Sequence, residues 1–250
     1  MLFGGIQKIS LIDYPDKICA IIFTQGCNFR CKFCYNPELV QLTNNNQQLT
    51  IMEGEIFEFL KKRKGLIDGV CVTGGEPTLH KDLPEFLAKI KKMGFLIKLD
   101  TNGTNPKMLK KLIDKKLIDY LAMDIKAPLE NQKSKIKNQN DKSKFKNHYK
   151  KVVGVKVDLK KIKESVKIIK NSGIDYEFRT TIAPGLHKEE DILQIAREIS
   201  PAKKYFLQQF VPSEKMIDEK YKKVKPYPIE TLKKMRDKAR RYVGKVEVRN

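Results

Sequence analysis

Residues 18–36 read ICAIIFTQGCNFRCKFCYN, and this stretch decides the architecture. Its first seven residues are apolar apart from Thr24, which is typical of a strand buried on both faces, as in a parallel sheet. The remaining residues, 25–36, form a loop that carries three cysteines. A buried strand that runs directly into such a loop places the cysteines at the end of the strand.

Similar apolar runs recur along the chain, with amphipathic helical patterns between them. We predict further strands at 69–73, 95–101, 119–125, 175–181 and 204–210, with a weaker one at 246–249. We predict helices at 52–64, 82–93, 106–116, 159–171, 189–199 and 229–242. Asp82 and Asn105 stand at N-cap positions, and glycines at 65, 94 and 173 are expected to end helices.

Strand–helix alternation predicts an α/β fold with a parallel sheet and right-handed crossovers. About six such units allow an open doubly wound sheet or a barrel, and periodicity does not distinguish them. The length of 250 residues suits one domain over 1–250 or two small ones.

Charged residues alternate with apolar ones near the ends of three predicted strands. The pairs Lys98/Asp100, Asp124/Lys126 and Glu177/Arg179 are each two residues apart, so each pair shares one face of its strand. We expect these faces to point away from the helices, into a barrel-like interior. There each charge needs a partner, which is another side chain or a zwitterionic ligand.

Composition narrows the class of protein. Hydrophobic residues make up 40% of the chain, enough for a core, and no run of about 18 apolar residues is present. The N-terminus lacks the pattern of a secretory signal. We therefore expect a soluble cytoplasmic protein with no membrane partner.

The formal net charge of +21 suggests a binder of nucleic acid or another polyanion. However, the basic residues are 43 Lys and only 8 Arg, spread over almost every predicted helix, and lysine is the weaker choice for bidentate recognition. We favour general enrichment of solvated faces. The near-repeat KSKIKN/KSKFKN within 131–147 has no helical or strand period and predicts a disordered basic insertion.

Five cysteines without an export signal favour metal or redox chemistry over disulfides. Cys27, Cys31 and Cys34 are spaced Cys-x3-Cys-x2-Cys, and a structural zinc would want a fourth ligand that is absent nearby. Cys19 and Cys71 lie inside strands and are expected to be core residues. Three thiolates suit a [4Fe–4S] cluster with one iron open to an outside ligand.

The cysteine motif, with aromatic Phe33 before Cys34, resembles the signature of the radical S-adenosylmethionine (SAM) enzymes. The Thr73-Gly74-Gly75-Glu76-Pro77 segment after the second predicted strand resembles their GGE motif. Over nearly the whole chain, KISLIDYPDK, TGGEPTL, LDTNG, MDIKAP, FRTTIAPGL and YFLQQF resemble activating enzymes of glycyl-radical proteins. The closest likeness is to anaerobic ribonucleoside-triphosphate reductase activating proteins. These commonly have His where this chain has Tyr35, which puts the exact substrate in question.

The resemblance implies a partial (β/α)6 TIM-type barrel of parallel strands with outer helices. It also implies a [4Fe–4S] cluster held by Cys27, Cys31 and Cys34 and bound SAM. These three cysteines would be the catalytic residues, because the cluster that they hold starts the reaction. The resemblance and the strand-face argument together suggest cofactor contacts from Phe33, Tyr35, Gly74, Gly75, Glu76, Asp100, Asp124, Lys126 and Arg179. The ammonium group of SAM would be bound by the Glu76 carboxylate or by the Gly74 and Gly75 carbonyls.

The implied activity is reductive cleavage of SAM to a 5′-deoxyadenosyl radical, which installs a glycyl radical on a partner enzyme. The implied partners are an anaerobic ribonucleoside-triphosphate reductase and a low-potential electron donor such as flavodoxin or ferredoxin. Two alternatives remain. One is a radical SAM enzyme that acts on a small molecule or peptide. The other is a basic nucleic-acid-binding protein with a structural metal site.

Overall fold

The computed structural model describes residues 1–40, 51–130 and 148–249. The basic segment 131–147 lies outside the described residues. Eight strands are hydrogen-bonded in sequence order. They are β1 (Phe3–Ser10), β2 (Cys19–Thr24), β3 (Gly69–Gly74), β4 (Leu96–Thr101), β5 (Tyr120–Asp124), β6 (Asp175–Ile182), β7 (Lys204–Gln209) and β8 (Lys245–Arg249).

The described helices are α1 (Glu53–Arg63), α2 (Leu83–Lys92), α3 (Pro106–Asp114), α4 (His148–Val153), α5 (Leu159–Lys170), α6 (Glu189–Ile199) and α7 (Ile229–Ala239). All seven predicted strands and all six predicted helices are confirmed. Two elements, β1 and α4, were not predicted. The sequence of β1, FGGIQKIS, has two glycines and no regular alternation of apolar residues, so it carries little strand signal.

The sheet is parallel except at its first strand. β1 runs antiparallel to β2, whereas β2, β3, β4 and β5 pair in parallel, as do β6, β7 and β8. Strands of this kind are covered on both faces, which is why β2 and β3 are almost wholly buried. Because the paired strands of each group run the same way, their carboxyl ends lie at one edge of that group.

Two compact units can be distinguished in the chain. The first consists of residues 1–28, 36–123 and 164–176, and the second of 29–35, 124–163 and 177–250. The prediction of one domain over 1–250 stays a prediction. Among the described residues, no helix combines the length and apolar character needed to cross a bilayer.

The core of the first unit contains both strand cysteines. Cys19 and Cys71 are fully buried and cluster with Ile21, Tyr14 and Tyr120, and the two tyrosine rings lie 5.8 Å apart. Burial raises the pKa of Cys19 to about 11, so its thiol stays protonated. Both cysteines are therefore core residues, as predicted.

The core of the second unit is built on β6 and β7. Phe178 and Tyr205 are fully buried. The Tyr205 hydroxyl donates to Thr180 Oγ1 at 2.8 Å, and that hydroxyl donates to the Ile125 carbonyl at 2.7 Å. Because the Tyr205 and Thr180 hydroxyls both have partners, their hydrogen bonds offset the cost of burying them.

The two predicted N-caps behave differently. Asn105 Oδ1 accepts from the Met108 amide at 3.2 Å at the start of α3, and its Nδ2 donates to the Thr78 carbonyl at 2.7 Å. Asp82 does stand at the N-cap of α2, but its side chain makes no capping bond. It pairs instead with the amino terminus at Met1. The predicted N-cap position of Asp82 is confirmed, but its carboxylate is engaged by the ammonium group of Met1 rather than by a backbone amide of α2.

Asn105→Ala should therefore lower the free energy of unfolding by about 1–2 kcal/mol, since it removes a capping bond and a second amide bond. Asp82→Ala is the matched control and should change stability less, because an exposed ion pair contributes little. Urea titration of the two variants measures the difference. An equal loss in both would contradict the capping assignment.

Candidate active site

The first part of the cysteine loop is held by backbone contacts within the first unit. The amide of Gly26 donates to the Leu39 carbonyl at 2.8 Å, and the amide of Cys27 donates to Val40 at 3.2 Å. His80 Nε2 donates to the Gln25 carbonyl at 2.9 Å. Burial lowers the pKa of His80, which keeps the ring neutral. The backbone is thus held at Cys27 and at the two residues before it.

The second part of the loop belongs to the second unit. Arg30 donates its amide to Val153 in α4 at 2.8 Å, and the amide of Cys34 donates to the Cys31 carbonyl at 3.0 Å. The Cys34 carbonyl accepts from the amide of Ile217 at 3.1 Å. The unpredicted helix α4 therefore supports the cysteine loop.

The donor set fits an iron–sulfur cluster by its chemistry. All five cysteines lie in the described ranges and none forms a disulfide, so the three loop thiols retain the chemistry of metal ligands. Within 1–40, 51–130 and 148–249, no group of three or more His, Cys, Asp or Glu side chains is already arranged around a metal position. The assignment of Cys27, Cys31 and Cys34 as cluster ligands stays a prediction that rests on their spacing and type.

The two glycines after β3 are required by a close backbone contact. Gly74 has φ +112°, a conformation that favours glycine. A Cβ on Gly75 would lie 2.2 Å from the Gly26 carbonyl oxygen, and the Gly75 amide donates to Thr24 at 2.8 Å. The sequence suggested that these glycines allow close approach of a cofactor. The structure adds that they let the loop pass directly beside the backbone that precedes Cys27.

The Glu76 side chain is 1% exposed, and its carboxylate is fully used by the protein. Its Oε1 accepts from the Thr78 amide at 3.1 Å, from the Thr78 hydroxyl and from the Thr101 hydroxyl at 2.7 Å. Its Oε2 accepts from the Asn102 amide at 2.6 Å. Burial raises the pKa of Glu76, and these hydrogen bonds oppose that shift. This arrangement favours the glycine carbonyls over the carboxylate as acceptors for an ammonium group.

The charged pair on β4 is satisfied within the first unit. Lys98 is 2% exposed and forms an ion pair with Asp100, and its Nζ lies 3.7 Å from Cys71 Sγ. The prediction that the two side chains share a face of the strand is confirmed. The contact of Asp100 with a cofactor stays a prediction.

The second unit gathers three predicted site residues around one carboxylate. Asp124 accepts from Lys126 Nζ at 2.9 Å and from Arg179 Nε at 2.9 Å. Burial alone would raise the pKa of Asp124, but the two cations lower it further than burial raises it. Burial alone would lower the pKa of Lys126, but Asp124 and Cys31 raise it. All three groups are therefore charged at neutral pH, a set that fits a zwitterionic ligand such as SAM.

The two charged residues on β6, Glu177 and Arg179, each bond to a partner outside the strand. Arg179 bonds to Asp124, whereas Glu177 forms a bidentate pair with Arg249 at 2.6 and 2.8 Å. The Arg249 guanidinium also lies 3.4 Å from the centre of the Phe206 ring. Glu177 thus has a structural partner on β8, which the sequence did not identify.

The two aromatic residues around Cys34 have different environments. Phe33 is buried, with its ring 6.1 Å from His187 in an edge-on contact and its centre 5.9 Å from Lys126 Nζ. Tyr35 is 62% exposed. Phe33 is therefore a packed residue beside Lys126, and Tyr35 has the accessibility that a ligand contact needs. The cofactor role of each stays a prediction.

Sequence reasoning assigned no role to His187, which is fully buried. Its Nε2 donates to the Lys126 carbonyl at 2.8 Å, and its Nδ1 accepts from the Ala183 amide at 3.1 Å. Burial lowers its pKa, so the ring is neutral. His187 thereby fixes the backbone that carries Lys126, and a histidine in a loop carried no signal for this contact.

Gln209 was also missed. It ends β7, its Nε2 donates to the Tyr227 carbonyl at 2.8 Å, and its Oε1 is buried without a hydrogen-bond partner in the described part of the chain. Such an acceptor costs free energy unless something donates to it. An orphaned acceptor at the carboxyl end of a strand fits a site where a polar ligand binds, and the Gln-Gln pair before Phe210 was its only sequence signal.

Glu76→Gln should lower the free energy of unfolding of the apoprotein by about 1–3 kcal/mol, since one carboxylate oxygen becomes an NH₂ group that cannot accept. Glu85→Gln, on the exposed side of α2, is the control and should have no measurable effect. Urea titration of the cluster-free protein checks both. Unchanged stability with lost SAM binding would instead show that the Glu76 carboxylate contacts the cofactor.

Asp124→Asn should cost about 3 kcal/mol at neutral pH, because two nearly buried cations lose their counter-ion. The folded-state pKa of Asp124 is lowered, so its contribution is present above the unfolded value of about 3.9 and is lost as the pH falls through the folded value. The stability difference from the wild type should hold above about pH 5 and shrink below about pH 4. Urea titrations from pH 3 to 7 test this, with exposed Asp237→Asn as the control; a constant difference would contradict it.

Known proteins that are similar to this chain belong to one superfamily. The family model described as the radical SAM superfamily matches residues 21–199. A Methanocaldococcus jannaschii protein assigned as a glycyl-radical enzyme activating enzyme is 36% identical over 99% of this chain and 95% of its own. The pyruvate formate-lyase-activating enzyme of Streptococcus mutans is 26% identical over 93% of this chain and 85% of its own.

Among solved structures, Streptococcus suis SuiB bound to S-adenosylmethionine matches with a TM-score of 0.66 at 15% identity, over 92% of this chain. This chain spans about half the length of the SuiB chain, so the likeness concerns the fold. It confirms the predicted α/β architecture with a partial barrel, and the family implies the predicted [4Fe–4S] cluster and SAM. The chain therefore belongs to the radical SAM superfamily and, within it, to the activating enzymes of glycyl-radical proteins.

Proposed function

We propose that this activase holds its [4Fe–4S] cluster through Cys27, Cys31 and Cys34, and that its partner is an anaerobic ribonucleoside-triphosphate reductase. The observation that carries the ligand assignment is the loop itself. Its three thiols lie within eight residues, none is in a disulfide, and the backbone on both sides of them is hydrogen-bonded. The reductase is supported by motifs such as KISLIDYPDK and YFLQQF, which resemble its activating proteins.

When bound, the cluster would supply the electron for reductive cleavage of SAM to methionine and a 5′-deoxyadenosyl radical, which would take a hydrogen atom from the partner's glycine. The protein's own residues bind and orient the cofactor. The carbonyls of Gly74 and Gly75 accept from its ammonium group. Lys126 and Arg179, each charged and held by Asp124, bind its carboxylate or ribose oxygens.

Electron delivery is proposed to come from a small low-potential carrier such as flavodoxin or ferredoxin. The net charge of +21 supports an acidic carrier, because opposite charge speeds encounter and is screened by salt. Raising the ionic strength should then slow reduction of the cluster by the carrier much more than reduction by dithionite, a small anion with few charges. Equal salt dependence for both reductants would argue against this part of the proposal.

Changing Cys27, Cys31 or Cys34 to Ala should abolish both iron retention and release of 5′-deoxyadenosine in anaerobically reconstituted protein. The wild type should hold about four irons per chain. Cys71→Ala is the control and should keep iron and cleavage at a cost in stability of about 1–3 kcal/mol, because it leaves a small cavity in the core. Stoichiometric zinc without cleavage in the wild type would overturn the enzyme assignment.

The partner is tested separately. Electron paramagnetic resonance should show a glycyl radical when the reduced activase and SAM are mixed with an anaerobic ribonucleoside-triphosphate reductase from the same genome. A signal with a different glycyl-radical enzyme alone would change the partner but leave the activase in place. SAM cleavage without a radical on any such enzyme would favour a small-molecule substrate.

A further inference from the structure

Two segments of the first unit meet at a closed set of side-chain hydrogen bonds, here named the asparagine network (Asn28, Asn102 and Thr104). Asn102 Nδ2 donates to Asn28 Oδ1 at 2.8 Å. Asn28 Nδ2 donates to Thr104 Oγ1 at 2.8 Å, and that hydroxyl donates to Asn102 Oδ1 at 2.7 Å. The three side chains form a ring in which each one donates once and accepts once.

The network joins the residue after Cys27 to the turn that follows β4. Asn28 is next to Cys27 in the chain, whereas Asn102 and Thr104 follow Asp100. Asn28 has both an amide donor and an amide acceptor engaged with that turn, so rotation of its side chain would break two bonds at once. These bonds therefore fix the chain segment beside Cys27, which is one of the proposed cluster ligands.

The same turn is held from its other side by Glu76. The carboxylate accepts from the Thr101 hydroxyl and from the Asn102 amide. Since Glu76 directly follows Gly74 and Gly75, the loop proposed to bind the SAM ammonium group is coupled through this turn to Asn28. The turn itself is anchored, because Ser165 Oγ donates to the Gly103 carbonyl at 2.7 Å.

We infer that Asn28 is a positioning residue that sets the location of Cys27 relative to the cofactor-binding loop. The inference rests on the proposed cluster ligands. Its physical basis is preorganisation: where the segments are already fixed, binding does not have to order them, and affinity is higher. Because the bonds close a ring, the three side chains should also act as a unit rather than additively.

The test uses reconstituted full-length protein and SAM itself as the probe. Addition of SAM to the reduced protein should change the electron paramagnetic resonance spectrum of the cluster, and the SAM concentration at half-change gives an apparent Kd. For Asn28→Ala we expect the iron content of the wild type and an apparent Kd raised about tenfold. Asn28→Asp, which keeps the acceptor for Asn102, should lie between the two.

Ser172→Ala is the matched control. Its hydroxyl donates to the Ile169 carbonyl at 2.7 Å after α5, in the same unit but outside the network. It should lower the unfolding temperature of the apoprotein as Asn28→Ala does, but leave the SAM titration unchanged. Thr104→Val should raise the apparent Kd, and adding it to Asn28→Ala should have little further effect.

The outcomes separate this inference from the proposed function. The positioning role would be overturned if the apparent Kd of Asn28→Ala for SAM lay within twofold of the wild-type value. It would also be overturned if Ser172→Ala raised the apparent Kd as much as Asn28→Ala does. Loss of iron from Asn28→Ala would also overturn the inference in this form, since the variant is expected to keep the cluster and to differ only in its affinity for SAM. A wild-type cluster whose spectrum does not respond to SAM would instead refute the proposed function.

Discussion

The arrangement of the first unit depends on one buried carboxylate. Glu76 accepts four hydrogen bonds from the loops after β3 and β4 and keeps no oxygen for bulk water. A group of this kind is stable in the interior only while all its partners remain. Its position directly after Gly74 and Gly75 means that the backbone proposed to bind SAM is shaped by the protein's own hydrogen bonds before any ligand arrives.

In the second unit, ion pairs rather than neutral hydrogen bonds fix the side chains that are proposed to bind SAM. Asp124 is paired with Lys126 and Arg179, so one carboxylate holds two cations in fixed orientations. The set carries a net positive charge and has little access to solvent. We expect such a group to favour ligands with a carboxylate or several oxygens, because the single negative charge of Asp124 does not balance two cations. The neutral ring of His187 supports it by fixing the Lys126 carbonyl.

The net positive charge of the chain comes mainly from lysines and has a different role from the buried charges around Asp124. Pairs such as Lys110–Asp114 and Lys61–Glu58 lie on exposed helix faces and contribute little to stability. The lysines are therefore better explained as solvated surface than as a recognition patch. What the surplus does supply is a long-range field, which acts on the rate of encounter with acidic partners.

The sequence by itself was enough to determine every described strand except β1 and every described helix except α4. It also determined the burial of Cys19 and Cys71 and the class of chemistry at the cysteine loop. Each of these depends on local spacing: periods of 2 and 3.6 residues, and three thiols within eight residues. Only the tertiary structure showed that Glu76 has no free oxygen, that Glu177 pairs with Arg249 rather than serving a ligand, and that Asn28 is bonded to Asn102 and Thr104. Apart from the two bonds that Thr78 makes with Glu76, these contacts join residues that are 25 to 76 positions apart in the sequence. Periodicity reports which face a side chain occupies, but the identity of its partner is set by how distant segments meet.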